Sequence, residues 1–190
     1  PLSSAASDVY KRQLILVQAP GTPPGLSKTP ENGIATSGSP VAASDPLWMA
    51  RALEQALLAG LRGEVPVGAV LVRDGTLLAE GHNLTGTLTD PTAHAEVVTI
   101  RKAAARQGDW RLEGTTLYCT LEPCSLCCGA IILARVPRVV FGASDPKAGM
   151  AGTLGNLLQD PRLNHRAEVT GGVIADTAAN LLRDFFRARR

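Results

Sequence analysis

No stretch of eighteen apolar residues occurs in this chain, so no membrane span is predicted. The N-terminus lacks the basic start, apolar block and small-residue cleavage site of a secretory signal. Net charge is almost absent, +2 over 190 residues, too little by itself to mark a nucleic-acid binder. Cysteine is scarce. All four cysteines, Cys119, Cys124, Cys127 and Cys128, fall within one short stretch. Clustered thiols without a secretory signal argue against a disulfide framework and for a reducing, cytoplasmic setting. No internal repeat is present. What remains is a chain of one-domain length, with a hydrophobic content of 45% that suffices for a core.

Residues 1–45 differ from the rest. They are rich in Ser, Ala, Pro, Gly and Thr, and are expected to form a disordered extension. The chain opens on Pro1, not methionine, as expected of a fragment. Residues 46–190 are expected to fold. Asp45 is expected to cap a helix with Pro46 in its first turn, and apolar residues from Leu47 to Leu61 then recur near helical spacing. Segments 68–72 and 76–83 flank Asp74-Gly75, a strong hairpin signal. A helix over 92–107, a strand over 115–121, a helix over 124–135 and a strand over 138–143 follow. A loop over 144–165 with a short helix at 154–158, a strand over 167–173 and a closing helix over 175–188 complete the chain. Strands alternating with helices predict an α/β fold, one sheet covered on both faces.

Two pieces of sequence converge on one chemistry: DPTAHAE at 90–96 and EPCSLC at 122–127. Each places candidate ligands at a predicted helix start. Cys124 and Cys127 are three apart, so their sulfurs share one helix face. Pro123 has no amide hydrogen to lose and suits a helix start. The positive end of that helix favours thiolates, the metal-binding form. One histidine, His94, with two thiolates suits Zn2+, one per subunit, and leaves the fourth tetrahedral position open for water. Glu96 is then available as a proton shuttle and not as a ligand. H-x-E followed by P-C-x-x-C is the signature of the zinc deaminases. Spacing alone leaves Cys128, one helical turn from Cys124, as an alternative to Cys127. The adjacent side chains of Cys127 and Cys128 diverge by about 100°, which argues against both binding one ion.

The chain also resembles the bacterial tRNA-specific adenosine deaminases within the cytidine/deoxycytidylate deaminase superfamily. The matching segments are EVPVGAV, EGHN, DPTAHAE, TLYCTLEPCSLCCGA, RVVFGASDPKAG, LNHRAEVTGG and LLRDFFRARR, which together run across 46–190. The resemblance implies a three-layer α/β/α cytidine deaminase-like fold with a central mixed five-stranded sheet. It implies hydrolytic deamination of adenosine to inosine at the wobble position of a tRNA anticodon stem-loop, by a homodimer. It selects His94, Cys124 and Cys127 as zinc ligands and Glu96 as the shuttle. It places Asn83 where the adenine is read and gives Ala95 and Pro123, with Leu121 and Glu122, as pocket wall. Asp145 and Lys147 fall in a loop that approaches the RNA, and Phe186, Arg189 and Arg190 on a C-terminal helix beside the anticodon loop. Leu126, Cys128 and Ser144 depart from the family's usual residues, none of them in the zinc set.

Other readings stand beside these. The arginines at 183, 187, 189 and 190 against Asp184 make a local +3 that reads first as a helix end suited to its dipole, with phosphate contact as the alternative. Cys119 reads as a small core residue, His82 as packing, His165 as a loop fastener, and Glu122 as a group holding a loop or an outer shell of the metal. One of Phe185 and Phe186 is expected in the core. The rival functions are a deaminase of free purines or cytosine, and a non-catalytic zinc-stabilised RNA-binding module.

Overall fold

The computed structural model describes residues 41–189. Apart from residues 41–45, the expected extension lies outside the described residues, as does Arg190. The elements are α1 (Asp45–Leu61), β1 (Gly68–Arg73), β2 (Thr76–His82), α2 (Thr85–Leu88), α3 (Ala95–Gln107), β3 (Thr115–Leu121), α4 (Ser125–Leu133), β4 (Arg138–Ala143), β5 (Glu168–Thr170) and α5 (Ala175–Arg187), with a 3-10 turn at Leu157–Gln159. The strands form one mixed sheet in the order β2-β1-β3-β4-β5. β1 pairs antiparallel with β2 and β3, and β3, β4 and β5 run parallel.

The period-2 alternation of the strands sorts the two faces. Ala69, Leu71, Leu117, Cys119, Val139 and Phe141 point to one side, into a cluster with Ile100 and Ala103 of α3 and Ile131 of α4. Val70, Val72, Tyr118 and Val140 point to the other, against Met49 and Ala52 of α1, with α5 alongside. The molecule is therefore the expected three layers: α1 and α5, sheet, α3 and α4. The hairpin forms as Asp74-Gly75 predicts. Both residues have positive φ, +48° and +70°, the pair a type I′ turn demands and glycine supplies most readily.

Several boundaries move. The helix expected over 92–107 starts at Ala95, because the Asp90 carboxylate accepts both the amide and the hydroxyl of Thr92 and holds a turn before it. The short helix expected at 154–158 is the 3-10 turn at Leu157–Gln159. The strand expected over 167–173 pairs only over Glu168–Thr170 before its glycines. The four-residue α2 has no apolar periodicity to announce it.

Asp45 is not a cap. Ser44 holds that position and makes no side-chain bond to the helix. Asp45 is wholly buried, and its carboxylate accepts from both Arg138 guanidinium nitrogens at 2.9 and 2.8 Å, the Tyr118 hydroxyl at 3.0 Å and the Ala42 amide at 2.7 Å. It thus pins the start of α1 to β3 and β4. Burial alone raises its pKa, but Arg138, the Ala42 amide and Tyr118 outweigh it and hold the carboxyl below the usual range. Burial and the Asp45 charge push the Tyr118 hydroxyl up to about 12. Asp45→Ala leaves Arg138 without its counter-charge and is expected to lose about 3 kcal/mol in urea unfolding. A depressed acid pKa stabilises above the unfolded value near 4 and ceases to as pH falls through the folded value. The acid dependence of unfolding below about pH 4 should accordingly be weaker in the variant.

Candidate active site

The carboxyl ends of the parallel strands β3 and β4 open at one edge, where the N-termini of α3 and α4 also arrive. His94 is the N-cap residue of α3 and Cys124 that of α4; both have extended backbone. An N-cap residue lies outside the helix while its helix amides point past it, so each side chain enters the same space from a positive helix end. Cys127 comes from the first turn of α4, three residues on.

His94 Nδ1 lies 3.6 Å from Cys124 Sγ and 3.5 Å from Cys127 Sγ, and the three ligand atoms are mutually within 4.8 Å. A tetrahedral zinc with bonds of about 2.3 Å to sulfur and about 2.0–2.1 Å to nitrogen has N···S edges of roughly 3.6 Å. The cradle therefore fits the ion in both donor chemistry and spacing. The Cys127 thiol and the His94 imidazole bring the Cys124 thiol down to about 3. The hydrogen bond to Cys124 and burial push the Cys127 thiol up. Contact with Cys124 raises His94 against the effect of burial.

Cys128 does not compete. It is fully buried in the core, and its thiol donates to the Pro123 carbonyl at 3.5 Å. Cys119 is equally buried and donates to the Val140 carbonyl. Among the described residues, His94, Cys124 and Cys127 are the cluster able to hold a metal.

Beside the cradle is a cleft of about 460 Å³. Glu96, in the first turn of α3, lines it while 4% exposed. Burial raises its carboxyl above the ordinary range; its own backbone amide opposes this, and the charge at Cys124 adds to it. A buried carboxyl with a raised pKa beside the cradle is suited to exchanging protons there. Asn83, Ala95, Leu121 and Glu122 also line the cleft, and so does Asp145 from the loop after β4.

Pro123 does not line it. It is buried beneath, and its carbonyl takes the Met150 amide at 2.9 Å as well as the Cys128 thiol, so it supports the wall without facing the cleft. Lys147 is exposed on the loop after β4, where its amide donates to Asp145 Oδ1 at 2.9 Å. That loop hangs on Glu122. The buried carboxylate accepts the Asp145, Ala151 and Thr153 amides and the Thr153 hydroxyl. Gly149 leaves room for it, since a β-carbon there falls 2.4 Å from the carboxylate.

Phe185 is buried and Phe186 exposed, their rings edge to face at 5.3 Å. The Arg189 guanidinium sits 3.6 Å over Phe185 and donates to the Gly63 carbonyl at 3.1 Å. Gly63 lines the cleft. Arg189 thus joins the C-terminal helix to the cleft rim. His82 is buried between Arg62 and Gln55, and His165 bonds the Val136 carbonyl at 2.8 Å. His82 is thus a packed residue, and His165 ties its loop to the segment before β4. Sequence reasoning missed Glu64, which lines the cleft against Asn83.

Comparison with known proteins agrees with this geometry. Residues 43–143 match the family model for the cytidine and deoxycytidylate deaminase zinc-binding region. The tRNA-specific adenosine deaminase of Bacillus subtilis (strain 168) is 52% identical over 146 residues, 77% of this chain and 91% of that protein. That of Haemophilus influenzae is 47% identical over 147 residues, 77% of this chain and 85% of that protein. Among solved structures, a chain from a study of A-to-I editing by tRNA:A34 deaminases superposes with a TM-score of 0.69 at 43% identity, covering 72% of this chain and 99% of its own. A guanine deaminase from Bacillus subtilis is 42% identical with a TM-score of 0.51, covering 56% of this chain and 69% of its own. A histidine and two cysteines at zinc spacing, a buried carboxyl beside them, the family-model match and 52% identity across nine-tenths of the Bacillus subtilis relative lead to one statement: the chain belongs to the cytidine and deoxycytidylate deaminase family, and it is a zinc-dependent deaminase.

Proposed function

We propose that the protein hydrolyses the exocyclic amine of adenosine at the wobble position of a tRNA anticodon, giving inosine and ammonia. The observation that carries this is the likeness to tRNA-specific adenosine deaminases over 77% of the chain, with the H-x-E and P-C-x-x-C residues gathered at one cleft. His94, Cys124 and Cys127 hold the metal. Bound there, zinc supplies Lewis acidity that brings the pKa of a water to about 7. Glu96 takes a proton from water and delivers it to the ring nitrogen beside the attacked carbon; it then protonates the departing amine. The water oxygen becomes the carbonyl oxygen of inosine, and the amine nitrogen leaves as ammonia. The cleft admits the base only when it is out of its stack, since the attacked carbon is hidden in a stacked base. Asn83, Ala95 and Asp145 contact the extruded nucleoside. Lys147, Phe186 and Arg189 meet the flanking RNA.

The protein acts as a homodimer in the cytoplasm. The resemblance supports the dimer, and α4 exposes Leu126 and Leu133 as apolar surface for a partner copy. All four cysteines are unpaired, which suits a reducing compartment. No helix among the described residues is long and apolar enough to cross a membrane.

Incubation with an anticodon stem-loop carrying wobble adenosine should yield inosine in the digest, while free adenosine and free guanine stay unchanged. With about four phosphates neutralised, raising salt from 50 to 200 mM should weaken stem-loop binding roughly 50-fold. Salt-indifferent turnover of a free purine would favour the guanine deaminase-like reading.

A further inference from the structure

Glu64 has no role in the chemistry above, yet its carboxylate is fully engaged at the cleft. It lies between α1 and β1, is 6% exposed and lines the cleft. Its Oε2 accepts from Asn83 Nδ2 at 3.1 Å and from the Gly86 amide at 3.2 Å; its Oε1 accepts from the Thr87 amide at 2.5 Å. Burial opposes ionisation, but the Thr87 and Gly86 donors and Asn83 outweigh it and hold the carboxyl below its ordinary range.

An ionised carboxylate only accepts hydrogen bonds. This fixes Asn83, whose amide has two chemically opposite ends of nearly equal shape. Nδ2 must face Glu64. Oδ1 then faces the other way, where the Thr85 hydroxyl donates to it at 2.9 Å. Among the described residues, Glu64 takes one N–H of Asn83 and Thr85 fills one lone pair of its carbonyl, which leaves a second N–H and a second lone pair. Asn83 is 7% exposed and lines the cleft, so a molecule held there comes within reach of its amide.

We infer that Glu64 is a positioning residue for substrate selection: it fixes the Asn83 amide so that its spare donor and acceptor face the nucleoside in one order, and it clamps the α2 turn on that side of the cleft. The inference rests on the wobble-adenosine reading. A nucleoside with the complementary order of acceptor and donor is accepted. A reversed amide would set donor against donor and acceptor against acceptor.

The test is a double-mutant cycle on kcat/KM for inosine formation in an anticodon stem-loop. Glu64→Ala, Asn83→Ala and the double variant are each checked for native circular dichroism and zinc content. Asn83→Ala is expected to lose about 100-fold and Glu64→Ala about 30-fold, the range for a hydrogen bond to a charged or buried group. Together they should lose about 100-fold, not the product of the two, because Glu64 acts through an amide that is no longer there. A loss equal to the product, or an unchanged Glu64→Ala enzyme, overturns the inference, since a purely structural role adds independently. Should Glu64→Ala not fold, Glu64→Gln takes its place under the same criterion. Inosine formation by the unmutated protein is measured alongside. If it is absent, the wobble-adenosine reading has failed, and the cycle is run and judged alike on the free purine that the protein deaminates.

Discussion

Glu96→Gln is expected to keep zinc and stem-loop binding while losing about 10³-fold or more in the single-turnover rate of inosine formation. The substitution preserves volume and removes none of the three ligand atoms of His94, Cys124 and Cys127, since Glu96 is not among them. It removes the group that exchanges protons. Proton transfer by a positioned side chain contributes 10²–10⁴-fold, and Glu96 serves twice, toward the ring and toward the leaving amine. A loss of 10³ corresponds to about 4 kcal/mol in the barrier. Stem-loop affinity should hold, since Glu96 is 4% exposed beside the cradle and the contacts proposed for the flanking RNA lie elsewhere. Zinc content, stem-loop affinity and rate are measured on one preparation. A variant that retains a tenth of the rate shows that water or another group moves the protons, and a variant that sheds its zinc shows Glu96 to be part of the metal's support.

The same contrast between local and distant partners explains what the sequence made legible. The zinc set could be read because its constraints are local: Cys124 and Cys127 share a face within one turn, and His94 and Cys124 each sit at a helix start signalled by neighbouring residues. Strands β1 to β4 could be read because alternation and Asp74-Gly75 are short-range signals. Asp45 was misread as a cap because its true partners, Tyr118 and Arg138, lie far along the chain on β3 and β4. Glu64 went unnoticed for the same reason: its partners Asn83, Gly86 and Thr87 join it only when β2 folds back beside the end of α1. Pro123 is expected in the cleft wall through the family resemblance, not through any signal of its own. Its neighbours Glu122 and Cys124 line the cleft, while Pro123 is buried and its carbonyl is taken by the Met150 amide and the Cys128 thiol.

Cys127→Ser and Cys128→Ala are expected to separate completely, although the residues are adjacent. Sequence spacing left Cys128 as an alternative ligand, one turn from Cys124. The structure directs the two sulfurs apart: Cys127 Sγ stands 3.5 Å from His94 Nδ1, whereas the Cys128 thiol bonds the Pro123 carbonyl and packs in the core with Ile131 and Val139. A three-residue site that loses a thiolate keeps an imidazole and one sulfur, too few for tight binding. Loss of a mere outer-shell partner already costs 10–100-fold in metal affinity, so loss of a ligand should exceed roughly 100-fold. Zinc in purified Cys127→Ser should fall to background by elemental analysis, with inosine formation lost in step. Cys128→Ala should keep one zinc per chain and full activity, at a cost of about 1 kcal/mol in stability from the small core cavity. If Cys127→Ser retained its metal and Cys128→Ala lost it, the ligand would be the other sulfur. The first turn of α4 would then have to be rewound by about 100° to bring that sulfur to His94.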